Sequence, residues 1–107
     1  MAESGLLSQT ESVKLRFSGP VYEWRGPAPH HFVDVPEAEA GMLHAVSEMV
    51  TYGWGMIPVR VEIGSTEFTT SLWPKDGGYI VPLKAEVRRA EKIELGDVID
   101  IELTVDT

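Results

Sequence analysis

The chain has 107 residues, a length that fits one domain around a single hydrophobic core. Its formal net charge of −8 disfavours binding to nucleic acid and to anionic membrane surfaces, because such partners repel an acidic protein. The absence of cysteine excludes disulfide bonds and zinc–thiolate sites, and no apolar stretch is long enough for a membrane-spanning helix. We therefore expect a cytoplasmic monomer or homodimer without a cofactor or a metal.

The first residues of the chain are polar and small, and they lack the basic and apolar segments of a signal peptide. Such termini are usually poorly ordered because nothing ties them to the core. We therefore expect a disordered tail over residues 1–12 and a single small folded domain over residues 13–107.

The first half of the domain shows two strand patterns and one helix pattern. Residues 13–24 alternate between apolar and polar, with a break at Gly19 and Pro20 where the phase switches, which predicts one long bent strand. A second strand is predicted over residues 31–35. Pro36 then marks the start of a helix, whose apolar residues recur at helical spacing and are expected to face the core: Met42, Leu43, Val46, Met49 and Val50.

The second half carries the clearest alternation of the chain. It predicts strands over residues 57–63, 67–73, 79–83 and 99–106, with a short basic helix over residues 84–91 before the last of them. Amphipathic strands of this kind bury one face each by closing into a barrel. We therefore predict a mainly β fold, a closed or nearly closed six-stranded β-barrel, with one longer helix after the second strand and one short helix before the last.

Three segments carry a family resemblance: WRGPAPHHFV at residues 24–33, GWGMIPV at residues 53–59, and TSLWP at residues 70–74 with YIVPLK at residues 79–84. The pairs Val87-Arg88 and Gly96-Asp97 follow in the same order. Together these segments, which lie within residues 13–105, resemble an uncharacterised family of small bacterial domains of unknown function that occur alone or beside a bacteriocin-protection-like, OmpD-associated domain.

This resemblance implies a six-stranded Greek-key-like barrel with a helix between strands, and it implies no activity, cofactor or catalytic residue. The chain departs from the family pattern at His30-His31, where an aromatic residue such as Trp is expected at one position. If that position lines a pocket, the pocket of this protein is more polar than those of its relatives.

No group of residues predicts a catalytic or metal site. Ser71 lacks the Gly-x-Ser-x-Gly context of a hydrolase nucleophile. His30 and His31 are neighbours on a strand, so they point to opposite faces and do not share a metal. His44 and Glu48 are four residues apart on the helix, but the sequence offers no third ligand beside them.

The residues that the predicted core does not require are three tryptophans and several basic residues. Tryptophan outside a core often marks a contact surface, and the candidate ligand-binding residues are Trp24, Trp54, Arg60, Trp73, Lys84 and Arg88. The plainer alternatives are that the tryptophans plug the barrel mouth and that Lys84 and Arg88 pair with nearby glutamates.

We therefore expect a non-enzymatic binding or interaction module. It would bind a small anionic or aromatic ligand or a partner protein at the barrel mouth, and neither nucleic acid nor a membrane. The alternative is an enzyme with an unrecognised site, for which His31 and Lys84 are the best candidates for an acid or a base.

Overall fold

The computed structural model describes residues 12–24, 30–50 and 56–106, and the side chains of all of these except residues 46–50. The elements in chain order are β1 (Ser12–Pro20), β2 (Tyr22–Trp24), β3 (His30–Asp34), α1 (Glu37–Val50), β4 (Ile57–Ile63), β5 (Thr66–Lys75), β6 (Gly78–Leu83), α2 (Ala85–Glu91) and β7 (Val98–Asp106). The mainly β class is confirmed. The tail expected over residues 1–12 lies outside the described residues except for Ser12.

The strands form one seven-stranded antiparallel sheet in the order β1-β7-β4-β5-β6-β3-β2. β1 and β2 stand at the two ends of this order and do not pair with each other. The sheet is therefore an open half-barrel of seven strands rather than the closed or nearly closed six-stranded barrel that was predicted. Because the first predicted strand is two strands, the longer helix follows the third strand rather than the second.

The division of the first strand has its cause at Val21. The Val21 backbone N–H donates to the Asp97 carbonyl at 2.9 Å, and the Gly96 N–H donates to the Val21 carbonyl at 2.8 Å. These bonds hold Val21 against the turn that precedes β7, so the chain bends there. Before the bend β1 pairs with β7, and after it β2 pairs with β3.

β5 joins the two parts of the half-barrel. Its first part, from Thr66 to Leu72, pairs with β4, and its last part, from Trp73 to Lys75, pairs with β6. A ten-residue strand can make this exchange because the right-handed twist of a sheet turns its ends toward different neighbours. The end of β5 thereby lies beside β6, in the same part of the sheet as β2 and β3.

The hydrophobic core fills the inner side of the half-barrel. The alternation predicted for β4 is confirmed, because its four inward residues are buried: Ile57, Val59, Val61 and Ile63. α1 covers this core with Ala40 and Leu43. Met42, which was expected in the core, is 55% exposed, because Ala40 and Leu43 define a buried stripe that turns Met42 outward. The other expected core positions of α1 lie among the side chains that are not described.

Two short turns shape the sheet. The β5–β6 turn has positive φ at Asp76 (52°) and Gly77 (81°), which matches the Asp-Gly type I′ hairpin. In the β4–β5 turn, Gly64 has φ of 60°. The Glu91 carboxylate at the end of α2 accepts hydrogen bonds from the Ser65 backbone and from the Ser65 and Thr66 hydroxyls, which attaches α2 to this turn.

Neither helix of the described ranges is long and apolar enough to cross a membrane.

Candidate ligand-binding site

A layer of aromatic rings lies on the outer side of the sheet, away from the core. Val33 and Leu72 belong to the core, so their neighbours along the strand, Phe32 and Trp73, point outward. The register then brings the outward residues together, because Tyr22 lies opposite Phe32 and Trp24 lies opposite His30. We define the aromatic face as Tyr22, Trp24, His30, Phe32 and Trp73.

The rings of the aromatic face pack closely against one another. The Phe32 ring centroid lies 5.1 Å from that of Trp73 and 5.7 Å from that of Trp24. The Trp24 and Trp73 centroids are 6.4 Å apart, and the His30 and Trp73 centroids are 5.9 Å apart. These separations and tilted orientations are the ones that aromatic pairs prefer. The rings therefore hold each other in place.

Burial differs sharply within this layer. Phe32 is 1% exposed and forms its floor with Ile80, which is equally buried and lies opposite Trp73. Trp24, by contrast, is 41% exposed. The aromatic face thus has a buried floor and an open rim, which is the arrangement of a surface that a ligand can cover.

Lys75 brings a positive charge to the rim. Its ammonium lies 5.3 Å from the Tyr22 ring centroid and 5.4 Å from the Trp24 ring centroid, within the range of cation–π attraction. The same ammonium lies 3.8 Å from Asp76 Oδ2. The space between the Tyr22 and Trp24 rings is therefore a position that accepts a cation.

Tyr22 also contacts a carboxylate. Its hydroxyl donates to Asp34 Oδ1 at 2.7 Å. Burial raises the pKa of Tyr22 well above its usual range, and the hydrogen bond to Asp34 and the negative charges of Asp34 and Asp76 raise it further. The phenol is therefore a fixed hydrogen-bond donor, and it orients the Asp34 carboxylate.

An open cleft of about 550 Å³ adjoins the aromatic face, between α1 and the β5–β6 turn. Its lining includes three carboxylate residues, Asp34, Glu37 and Asp76, and we call it the acidic cleft. His44 lies on its wall, where the Nε2 donates to the Gly77 carbonyl at 2.9 Å and ties α1 to the turn. Asp34 belongs both to the wall of this cleft and to the edge of the aromatic face.

The structure brings together only some of the predicted site residues. Trp24 and Trp73 meet on the aromatic face, outside the half-barrel rather than as a plug of its mouth. Trp54 lies outside the described residues. Arg60 lies opposite Thr69, on the same side of the sheet as Trp73. Thr69 and Trp73 are four residues apart on β5, which corresponds to about 13 Å of strand.

Arg60 already has partners of its own. Its guanidinium donates to Asp106 through Nη2 at 3.0 Å and lies 3.9 Å from Glu67. The hydrogen bond with Asp106 raises the pKa of Arg60 and lowers the pKa of Asp106. Arg60 on β4 therefore pairs with carboxylates on β5 and β7, and the structure does not bring it to Trp24 and Trp73.

Lys84 and Arg88 contact backbone carbonyls of β5 and β6. The Lys84 ammonium donates to the Thr69 carbonyl and the Arg88 Nε donates to the Leu83 carbonyl, each at 3.4 Å. The salt bridges between described residues include neither of them, so the expected pairing with glutamates is not seen there. The five candidate residues that the structure describes consequently do not form one site.

His31 lies near Arg88, on the inward phase of β3. It is opposite Leu83, whose carbonyl Arg88 contacts. Burial lowers the pKa of His31, the positive charge of Arg88 lowers it further, and the charge of Glu23 opposes both. The His31 Nδ1 is buried and has no hydrogen-bond partner within the described part of the chain.

The sequence reasoning missed Tyr22, Phe32 and Lys75 as members of a site. Phe32 carried a usable signal, because it is a large apolar residue on the polar phase of its strand, next to His31 and Val33. Lys75 carried no such signal, since the sequence places it in the connection between two predicted strands, where a lysine is usually solvated. Across the described ranges, no group of three or more His, Asp or Glu side chains is placed to hold a metal ion.

The sequence profile of a family described as "Domain of unknown function (DUF1905)" matches residues 17–103. This span includes every residue of the aromatic face and Lys75. No curated protein matches the chain.

Proposed function

We propose that this chain, which belongs to the DUF1905 family of unknown function, is a binding module. Its ligand would present a flat ring to the aromatic face. One observation carries this proposal. Five aromatic rings lie on the outer side of a sheet whose inner side already holds a complete hydrophobic core.

A layer of aromatic rings is unusual on the solvent-facing side of an antiparallel sheet whose other side packs on the core. The outer face of a sheet of this kind is normally polar, with apolar residues confined to the side that packs on the core. A contiguous exposed apolar patch on a small protein marks an interaction site more often than a scattered apolar residue does. Trp24, at 41% exposure, is the ring that a ligand would cover.

The site is also held ready for binding. Phe32 is fully buried beneath the layer, and the rings around it contact one another at fixed separations on paired strands. Side chains that are already ordered lose little conformational entropy when a ligand binds. A flat ring can therefore gain stacking and burial at Trp24 and Trp73 without reorganising the sheet.

The positions of the basic residues bear on the ligand that was expected from the sequence. An anionic ligand was inferred because Arg60, Lys84 and Arg88 were expected beside the tryptophans. Arg60 is bonded to Asp106, and Lys84 and Arg88 contact carbonyls near α2. The geometry supports the aromatic part of the hypothesis, and we assign the ligand as a small ring-bearing molecule.

The test is a titration of the purified protein with a panel of soluble ring-bearing compounds, followed by tryptophan fluorescence and by thermal shift. We expect at least one compound to bind saturably, and Trp24→Ala and Trp73→Ala to weaken its affinity by tenfold or more. Val98→Ala is the matched control, since Val98 is an exposed apolar residue, 69% accessible, at the start of β7. Equal affinities in Trp24→Ala and Val98→Ala would overturn the proposal.

A second candidate function is an enzyme site around His31. The observation that favours it is the buried Nδ1 without a partner beside the charge of Arg88, because perturbed and unsatisfied histidines often belong to functional sites. Lys84, the other candidate, follows Leu83 directly in the chain. Turnover of any substrate class that is lost in His31→Ala and kept in Trp24→Ala would favour this function over the binding module.

We also propose an origin and a cellular location for the protein. The family resemblance of residues 13–105 supports a bacterial origin and an occurrence alone or beside a bacteriocin-protection-like, OmpD-associated domain. The net charge of −8 and the absence of cysteine support a cytoplasmic protein that binds neither nucleic acid nor membranes. We expect a monomer or homodimer, which sedimentation analysis measures directly.

A further inference from the structure

We propose that the ring-bearing ligand of the aromatic face is a cation, and that the Lys75 ammonium occupies the place of its charge in the free protein. This inference rests on the proposed function and adds the charge of the ligand to it. It is carried by three observations: the position of Lys75, the carboxylates beside it, and the overall charge of the chain.

The position of Lys75 shows where a positive charge is accepted. Its ammonium lies 5.3 Å and 5.4 Å from the ring centroids of Tyr22 and Trp24, so two electron-rich ring faces already attract a cation at this point. Lysine reaches it through a flexible four-carbon stem that can swing away when a ligand arrives. The ring position and the charge position of a ligand are therefore adjacent.

The carboxylates make this neighbourhood acidic. Asp34, Glu37 and Asp76 line the acidic cleft, and Lys75 is the one lysine or arginine among the described residues that line it. Asp34 is held at the edge of the aromatic face by the Tyr22 hydroxyl. When a ligand cation replaces the ammonium of Lys75, these three carboxylates still balance its charge, whereas they would repel an anion that only Lys75 attracts.

The charge of the whole chain acts in the same direction. A formal net charge of −8 on 107 residues attracts cations and repels anions over distances of about a Debye length. An anionic ligand would therefore have to be drawn to the aromatic face against both the local and the overall field. A flat aromatic cation agrees with the rings, with the cleft and with the net charge.

The test compares three probes on one ring system: N-methylquinolinium, which is a cation, N-methylquinolone, which is neutral, and quinaldate, which is an anion. Affinities are measured by isothermal titration calorimetry at low and at physiological salt. We expect the cation to bind at least about fivefold tighter than the neutral probe and the anion to bind weakest. Raising the salt concentration should narrow these differences.

Two variants should change the affinity for the cationic probe in opposite directions. Lys75→Gln removes the competing ammonium, so it should tighten the cation about fivefold, leave the neutral probe unchanged and weaken the anion. Asp34→Asn should weaken the cation by a similar factor. Asp100→Asn is its matched control, because Asp100 likewise accepts a hydroxyl hydrogen bond across two strands, from Ser18, but lies on β7 outside the acidic cleft.

The outcomes separate the two proposals. Equal or stronger binding of the neutral or anionic probe, or a weaker cation in Lys75→Gln, would overturn the cation and leave the ring-binding module intact. Failure of all three probes to bind at millimolar concentration would overturn both. Tighter cation binding in Lys75→Gln together with unchanged binding in Asp100→Asn would establish the inference.

Discussion

The contact between α2 and the β4–β5 turn can be tested by adding a single methyl group. A Cβ at Gly64 would lie 2.8 Å from the Glu91 Cδ and closer still to one carboxylate oxygen, and the backbone there has φ of 60°. The left-handed conformation costs a non-glycine residue about 1–2 kcal/mol. The Glu91 carboxylate would also have to move, which breaks its hydrogen bonds with Ser65 and Thr66 and costs about 1–2 kcal/mol more.

We therefore expect Gly64→Ala to lower the free energy of unfolding by about 2–4 kcal/mol in urea denaturation. Gly77→Ala is the control, since Gly77 has φ of 81° but no atom within 4 Å of the added Cβ, so it should lose only about 1–2 kcal/mol. In a Glu91→Ala background the extra cost of Gly64→Ala should shrink toward the Gly77 value. Equal losses in the two glycine variants, or strictly additive effects in the double variant, would refute this account of how α2 is attached.

Two further changes should alter stability in predictable directions. Gly41→Ala should raise the free energy of unfolding by up to about 1 kcal/mol, because Gly41 lies within α1 and an added Cβ meets no atom within 4 Å; a loss of stability in urea denaturation would contradict this placement. The pKa of His31 is lowered from 6.5 in the folded protein, so below about pH 6.5 the unfolded chain binds a proton that the folded protein does not, and stability falls. His31→Gln removes this contribution, so thermal unfolding measured from pH 8 to pH 5 should show a smaller loss of stability than in the wild type, and parallel curves would contradict the burial of His31.

Much of the fold could be predicted because alternation reports which face of a strand is buried. The inward residues of β4 were identified correctly. Their positions are strongly specified, because a one-residue shift in the register of the strand would have exposed all of them. The bend near Gly19 and Pro20 was also visible. The exchange of strand partners at the bend could not be predicted, because it depends on two hydrogen bonds with residues far away in the sequence: Val21 donates to Asp97 and accepts from Gly96.

The rotation of α1 about its axis and the composition of the site could not be predicted from the sequence, because both depend on contacts between distant elements. Helical spacing fits more than one stripe on α1, and contact with the sheet selected the one that contains Ala40 and Leu43. The phase of β5 correctly placed Trp73 off the core. Its meeting with Trp24 required the strand order, which lays the end of β5 beside β6 and β2 beside β3.

The central claim, that the aromatic face binds a flat ring, is tested most directly by following the indole N–H resonances of the wild-type protein by NMR during titration with N-methylquinolinium. The chain has three tryptophans, so Trp→Phe variants assign the three resonances without ambiguity. The account predicts saturable shifts of the Trp24 and Trp73 resonances with a common dissociation constant, because the two rings lie 6.4 Å apart on the same face. Shifts confined to Trp54, or no shift at Trp24 under saturating ligand, would contradict it.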